Sequence, residues 1–415
     1  MTPRDGSHPA VIATTGAVDV AAERMRTVGA TRSHHLNAAG SALPSVSVVD
    51  TVVQHLRLEE AIGGYEAAAV VRDRLDAIYD STAALIGARA SEIALFDSAS
   101  TGLRVLLDAL RPAAGSRIVA ASTTYVSHAL HLMTLARERE VELVLAPVDD
   151  RGCVDLEALD AMLADGRPTT VTVSHVPTSS GLTEPVAAIG AITRRHGAVY
   201  ILDATQSVGH LAVDVDAVGC DILVTTGRKF LRAPRGTGFA YVSASLMERL
   251  APTAPDVRGA QWSSPLAWEL TQSARRYESW EAAVSARLGL GVAVDEALSR
   301  GILPTQAHLR EGGRTLRAQL ATIPGVRVAD PEGADSAIVT FDIVGVVSPL
   351  VVDALSRRSV RVVSVPATHG QWDLGARGLD AVVRASLHVY NDESDVDALV
   401  EAVTAVASDA AGGAA

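Results

Sequence analysis

The stretch "DILVTTGRKFLRAPRGTGF" (221–239) runs from an apolar segment into a Gly-rich turn and holds Lys229, the only lysine in the 415-residue chain. Every other cationic side chain among its 36 lysines and arginines is an arginine. Arginine serves surface charge, ion pairs and anion binding at least as well, because its planar fork stays charged at any ordinary pH. It cannot shed a proton and attack a carbonyl as a free amine. Lysine can, once burial or a nearby charge lowers its pKa. Codon bias accounts for the scarcity of lysine, but not for where the one survivor stands.

Outward from this stretch, "GAVYILDAT" (197–205) and "TVTVSHV" (170–176) are further apolar runs of strand length. Upstream lie "EIALFDS" (92–98), "SRIVAAS" (116–122) and "VELVLAPV" (141–148). Between them, "GLRVLLDALRPAAG" (102–115) and "SHALHLMTLARERE" (127–140) carry apolar residues at helical spacing. Strands alternating with helices predict an α/β fold, a mainly parallel sheet with helices on both faces. Ligands in such sheets sit beyond the carboxyl ends of the strands. The turns at 98–102, 123–128, 176–181, 203–206 and 226–229 then share one edge.

Past Gly301 a strand–helix–strand pattern resumes in "VRVAD", "AIVTFDIVG", "VRVVSV" and "AVVRASLHVYN". We expect a flexible segment over 1–30, a large domain over 31–295 whose N-terminal part packs on the small one, a small α+β domain over 296–408, and a frayed tail over 409–415. Hydrophobic residues make up 48% and charged residues 20%, which fits a compact protein with ample core. The net charge of −12 argues against nucleic acid or an anionic membrane as partner. The opening "MTPRDGSHPAVIATTGAVDV" lacks the order of a signal peptide. "SAIVTFDIVGVVSPLVVDALS" (336–356) carries Asp342, Pro349 and Asp353, so it reads as a buried strand and turn rather than a membrane span. Cys153 and Cys220 give neither a disulfide framework nor metal-ligand spacing. The expectation is a cytoplasmic, bacterial-type enzyme without a metal.

Asp203 ends the apolar "VYILD", Gln206 lies one short turn on, and Lys229 follows the next strand. An acid at the exit of a buried strand is costly to desolvate without a cationic partner. An acid, an amide and a lone amine converging on one edge suit pyridoxal 5′-phosphate. The lysine binds it covalently, the acid keeps the pyridine nitrogen protonated, and the amide donates to the phenolic oxygen.

"YILDATQSVGHLAVDVDAVGCDILVTTGRKFLRAPRGTGFAYV" (200–242) resembles the signature of the class V aminotransferase-like, fold-type I enzymes. That signature is D-x-x-Q-x-x-G-H, a later Asp, the lysine, and a Gly-rich P-x-G-x-G hairpin. Weaker similarity runs from "HLNAAGSALP" (35–44) to "VRASLHVYNDESDVDALVEAV" (383–403). The resemblance implies a seven-stranded sheet and a homodimer whose sites draw on both subunits. It makes Lys229 the cofactor-binding lysine, Asp203 the partner of the pyridinium and Gln206 the partner of the phenolate.

"DSASTGLRV" (97–105) resembles the family's phosphate cup, with Ala99, Ser100 and Thr101 at a helix N-terminus that favours a dianion. Alone, that motif reads equally as an ordinary serine-capped helix. Thr226 stands where the family has a phosphate-binding Ser or Thr. Arg228 replaces the usual His beside the lysine, keeping a cation near the phosphate but unable to titrate. Tyr125 aligns with the residue that stacks on the ring, and Thr178 with an Asn near the ring oxygen. Arg384 matches the arginine that grips the substrate α-carboxylate. Asn37, Ala39 and Gly40 line the substrate side, and Tyr65, Trp262 and Ser263 are candidates to reach the neighbour's cofactor. His34, His35 and His388 read as structural.

Family chemistry starts with removal of the α-proton by the freed lysine amine, and the outcome depends on the pocket. Desulfurases of the family need a mobile nucleophilic cysteine ahead of the substrate arginine. Here that segment, "VRVVSVPATHGQWDLGARGLDAVVRAS" (360–386), has none. "HLRLEEAIGGYEAA", "SHVPTSSGL" and "RRYESWEAAVSARLGLGVAV" resemble an actinobacterial subgroup. It includes the hercynylcysteine sulfoxide lyase of ergothioneine synthesis, enzymes acting on S-substituted cysteines in antibiotic pathways, and isopenicillin-N-epimerase-like proteins. The resulting expectation is C–S cleavage of a cysteine S-conjugate. Decarboxylating oxidative deamination, transamination and epimerisation are the alternatives within the family, and a regulatory binding protein is the alternative outside it.

Overall fold

The computed structural model describes residues 16–412. Its centre is a seven-stranded sheet built from β1 (Ile93–Phe96), β2 (Arg117–Ala120), β3 (Glu142–Leu145), β4 (Thr169–Ser174), β5 (Val199–Asp203), β6 (Ile222–Thr226) and β7 (Gly238–Val242). The spatial order is β1-β7-β6-β5-β4-β2-β3, and only β7 runs against the others. Alternation along each strand supplies both faces with apolar side chains, as a sheet covered on two sides requires. Tyr200, Leu202, Leu223, Phe239 and Tyr241 enter one core, while Ile201, Ile222, Val224, Ala240 and Val242 enter the other.

Helix packing follows the same logic. α1 is the short Val20–Met25 helix, and α2 is Ala99–Leu110, capped by the Ser98 hydroxyl, which accepts from the Thr101 amide. Leu103, Leu106 and Leu107 form the buried stripe of α2, and the helix ends at Arg111, which adopts φ 45° just before Pro112. α3 (Val126–Arg139) follows β2 and starts at Tyr125. Turns between strand ends and helix starts thus line up along the carboxyl edge of the sheet.

A second, antiparallel sheet comprises β8 (Val326–Val328), β9 (Ile338–Ile343), β10 (Val363–Pro366) and β11 (Ala381–Ser386) in the order β8-β9-β11-β10. α4 (Glu393–Gly412) packs on it through Val396, Leu399, Val403 and Val406. His34 and His35 form a short parallel pairing with Val360 and Arg361, so the N-terminal chain lies on this second unit. No helix of the described residues is long and apolar enough to cross a membrane.

Three sequence expectations are corrected here. Residues 20–30 are not a loose lead-in: α1 is held by Glu23, only 2% exposed, which pairs with Arg232 at 2.7 Å and Arg300 at 3.1 Å. The remainder of the expected flexible segment, 1–15, lies outside the described residues. At the other end α4 continues through Gly412, so fraying does not begin at 409, and 413–415 lie outside the described residues. The apolar 336–356 stretch is a strand followed by a helix (Ser348–Arg357) with proline in its first turn, where no amide partner is needed.

Candidate active site

Five carboxyl-edge turns meet at one cavity. Ser98, Ala99 and Ser100 come from the start of α2, Tyr125 and His128 from α3, Thr178 from beyond β4, Asp203 and Gln206 from β5, and Thr226, Arg228 and Lys229 from β6. Lys229 is 8% exposed, with Nζ 5.9 Å from the centre of the Tyr125 ring. Burial, helped by the charges of Arg384 and Arg228 and opposed by Asp203, lowers the lysine pKa to about 7. At that value about half of the amine is free base near pH 7, against almost none for an ordinary lysine.

Asp203 sits at the last position of β5, in register with Ser174 and Val224. Burial opposes its ionisation. His128, whose Nδ1 lies 3.0 Å from Asp203 Oδ2, and Thr205, whose amide donates to Oδ1 at 3.0 Å, outweigh that and hold the carboxyl below its usual range. His128 was not singled out from the sequence. The signal available was "TTYVSH", a histidine in the first turn of α3, on the edge predicted to carry the chemistry.

Local structure explains the signature residues. Gly209 has φ 84°, and a Cβ there would meet the Phe230 carbonyl at 2.5 Å, one residue past the lysine. His210 accepts from the Ala337 amide at 3.0 Å and stacks on Phe230 at 4.3 Å, linking the lysine turn to the second sheet. Phe230 also stacks on His388 (5.7 Å), and His388 on Tyr390 (5.2 Å). Arg232 covers the Tyr390 ring at 5.2 Å. His34 and His35 pair with Asp395 and the Tyr390 hydroxyl.

Other sequence-chosen residues divide into three groups. Arg384, on β11 of the second sheet, reaches across to Thr178, donating to its hydroxyl at 2.5 Å and its carbonyl at 3.2 Å. Asn37, Ala39 and Gly40 lie beside the cavity: Gln206 Nε2 donates to the Ala39 carbonyl at 3.1 Å, and Arg228 donates to that of Gly40. Ser386 Oγ accepts from the Ala39 amide at 2.9 Å. Thr101 departs from the expectation, since its amide and hydroxyl both engage Ser98, which lines the cavity itself. Tyr65 and Trp262, 80% and 78% exposed, and the exposed Ser263 are not brought to the cavity within the chain. Tyr65 instead borders a separate cleft of about 620 Å³ with Arg72 and Tyr79.

The cavity fits a phosphorylated, heteroaromatic cofactor. Three of its lining residues carry buried polar atoms with no protein partner: His128 Nε2, Thr205 Oγ1 and Gln206 Oε1. Gln206 retains a second N–H beside the one given to Ala39. The amides of Ala99 and Ser100, the first two positions of α2, have no intrahelical acceptor, and the helix dipole favours a dianion there.

A seven-stranded, mainly parallel sheet with a buried lysine and an ionised aspartate at its carboxyl edge defines a fold-type I pyridoxal phosphate enzyme. The chain belongs to the class V aminotransferase family: the family model described as "Aminotransferase class-V" matches residues 34–399. It is 30% identical over 380 residues to a protein of Mycobacterium tuberculosis named "Probable hercynylcysteine sulfoxide lyase", covering 91% of each chain. A "Probable cysteine desulfurase" of Methanothermobacter thermautotrophicus is 27% identical over 387 residues, covering 91% of this chain and 95% of its own. Among solved structures, the apo cysteine desulfurase of Thermococcus onnurineus superposes with a TM-score of 0.87 at 21% identity, covering 93% and 97% of the two chains. The cystine C–S lyase C-DES, solved with its product cysteine persulfide, gives 0.80 at 18% identity, covering 91% and 99%.

Proposed function

We propose that the protein cleaves the carbon–sulfur bond of an S-substituted L-cysteine by β-elimination. With one water consumed, the products are a thiol (or a sulfenate from a sulfoxide), pyruvate and ammonia. The observation that carries this reading is a buried amine with a pKa of about 7 in a site that has no thiol near it. Cys153 is buried against the Thr183 carbonyl, and burial pushes its pKa up to about 12. Burial also raises the thiol pKa of Cys220, ahead of β6 and away from the cavity. A persulfide route has no nucleophile here. The similarity to a hercynylcysteine sulfoxide lyase and to cysteine desulfurases supports a sulfur-bearing cysteine derivative as the substrate class.

Bound pyridoxal phosphate supplies an electron-withdrawing ring that acidifies the α-proton and lets a β-substituent depart. Lys229 would hold it covalently, Asp203 would face its ring nitrogen, Gln206 its phenolic oxygen, and Ser98, Ala99, Ser100 and Thr226 its phosphate. Arg384 receives the α-carboxylate of the substrate in a charge-assisted contact, and the Thr178 hydroxyl holds the guanidinium in place. Lys229 Nζ, in good part unprotonated near neutrality, takes the proton from Cα. Its low pKa keeps the amine competent at the pH of a cell. We also propose that two chains pair, with the exposed Tyr65 and Trp262 presented to the neighbouring site.

Supplying S-ethyl-L-cysteine to the purified holoenzyme without a keto-acid acceptor should release pyruvate and ethanethiol in equal amounts. Turnover that appears only with an acceptor would refute elimination. Cα–H exchange without net product would replace it with epimerisation.

A further inference from the structure

The backbone of Arg384 is fixed, because β11 is paired on both sides and Arg384 lies opposite Thr340 of β9 and Val363 of β10. Its guanidinium leans on Thr178, to which it donates twice, and Nε is buried without a partner. Thr178 belongs to no strand or helix. It stands in the connection between β4 and the helix Val186–Arg195. Whatever holds that connection therefore also aims the guanidinium.

The grip comes from the second unit. Ser179, 1% exposed, donates its hydroxyl to Asp373 Oδ2 at 2.5 Å. The Gly181 amide donates to Asp330 Oδ1 at 2.9 Å, and the Thr183 hydroxyl to Asp335 Oδ1 at 2.7 Å. Every second residue of the connection thus meets an aspartate of the unit that also carries Arg384. The three ties differ in what else they do. Asp330 also accepts from the amide and hydroxyl of Thr340 and pairs with Arg317 at 2.7 Å, so it belongs to the fabric of the second sheet. Asp335 acts well along the connection, at Thr183. Asp373 holds the residue next to Thr178.

Asp373 is itself firmly seated. It lies in a single helical turn, Gln371–Gly375, whose Leu374 is fully buried with Val365 and Val382. Val382 precedes Arg384 on the same strand and the same core anchors both. A Cβ on Gly370 would stand 3.5 Å from that of Ser179, so this segment lies flush against the connection. Arg384 and Asp373 therefore hold consecutive residues from one platform. An arginine that meets a carboxylate in two parallel hydrogen bonds tolerates little misplacement, and a shift of about 1 Å costs on the order of a hundredfold in rate.

We propose that Asp373 is a positioning residue for carboxylate recognition: through the Ser179 hydroxyl it fixes Thr178, and Thr178 aims Arg384 at the α-carboxylate. The proposal rests on the reading of Arg384 given above. It makes the cysteine-free segment ahead of Arg384 a fixed support of the site.

Calorimetric titration of the holoenzyme with β-(ethylthio)propionate and with its primary amide tests this without turnover, since neither probe carries an α-amino group. The unaltered enzyme should prefer the carboxylate. Asp373→Ala should weaken its binding about tenfold, the scale of one hydrogen bond to a charged group, and leave the amide within about twofold. Asp373→Asn, which keeps an oxygen for Ser179 to donate to, should restore most of the preference. Ser179→Ala should match Asp373→Ala, and the double variant should be no worse than either. With S-ethyl-L-cysteine the same variants should raise KM by a similar factor and leave kcat within about twofold. Unchanged propionate binding in Asp373→Ala overturns the proposal. Equal weakening of both probes, or additive losses in the double variant, does so too, because Asp373 then serves the fold alone. Arg384→Gln separates the two readings. If it abolishes the carboxylate preference while Asp373→Ala does not touch it, the reading of Arg384 stands and this proposal falls. If the preference survives Arg384→Gln, both fall together.

Discussion

At the scale of single residues the proposed chemistry turns on Lys229 and on the His128–Asp203 pair. Because the chain has one lysine, protein made with isotope-labelled lysine should show a single side-chain signal. In the cofactor-free form that signal should titrate near pH 7, and an ordinary value above 10 would contradict the burial described above. His128→Leu should remove the largest effect opposing the desolvation of Asp203, leaving only Thr205, and raise its pKa. A group whose folded pKa is depressed loses its contribution as pH falls, so the acid limb of the kcat/KM profile should move to higher pH in the variant. An unchanged limb would show that His128 does not tune Asp203. Lys229, Asp203 and Gln206 were legible in the sequence because each ends or follows a strongly apolar run, and strand ends predict an edge. His128 was not, since its meaning depends on the chain crossing from the β2 edge to that of β5. No local pattern records that crossing.

At the scale of elements, close approaches of backbone decide what the turns can accept. A Cβ on Gly238 would lie 2.5 Å from the Thr225 carbonyl and 3.1 Å from Ser98 Cα, which ties β7 to the start of α2. Gly238→Val should cost about 1–3 kcal/mol through overpacking and weaken cofactor retention by displacing Ser98. Urea midpoints and dialysis would measure the two effects separately. α1 illustrates what sequence could not show. Six residues, "VAAERM", are too few for a periodic signal. The order of α1 comes from Glu23 meeting Arg232 and Arg300, both more than two hundred residues away. Glu23→Gln leaves that buried cluster without its carboxylate and should destabilise the fold by about 3–5 kcal/mol, read from the shift in urea midpoint. Breaking these contacts should also disturb the lysine turn, because the Arg232 amide donates to the Lys229 carbonyl at 2.9 Å.

For the molecule as a whole, the α/β class, the mainly parallel sheet and the separate C-terminal pattern were readable because alternating strands and helices admit few arrangements. The pairing of His34–His35 with Val360–Arg361 was less so, being a contact between distant segments with no local signature. One global property follows from the buried amine. Its folded pKa lies below its unfolded one, so the folded state binds fewer protons between about pH 7 and about 10.5, and folding stability should rise with pH across that window. In the cofactor-free protein Lys229→Met should flatten this slope in thermal melts taken at several pH values, and an unaltered slope would assign it to other groups.

The column of rings formed by His210, Phe230, His388 and Tyr390 joins the lysine turn to the core of the second sheet, where Phe230 and Tyr390 are buried. Relative rotation of the two halves keeps that column intact only when the swivel axis runs along it, as a door turns about its pintle. The amine, on the residue next to Phe230, would then move little in any such rotation.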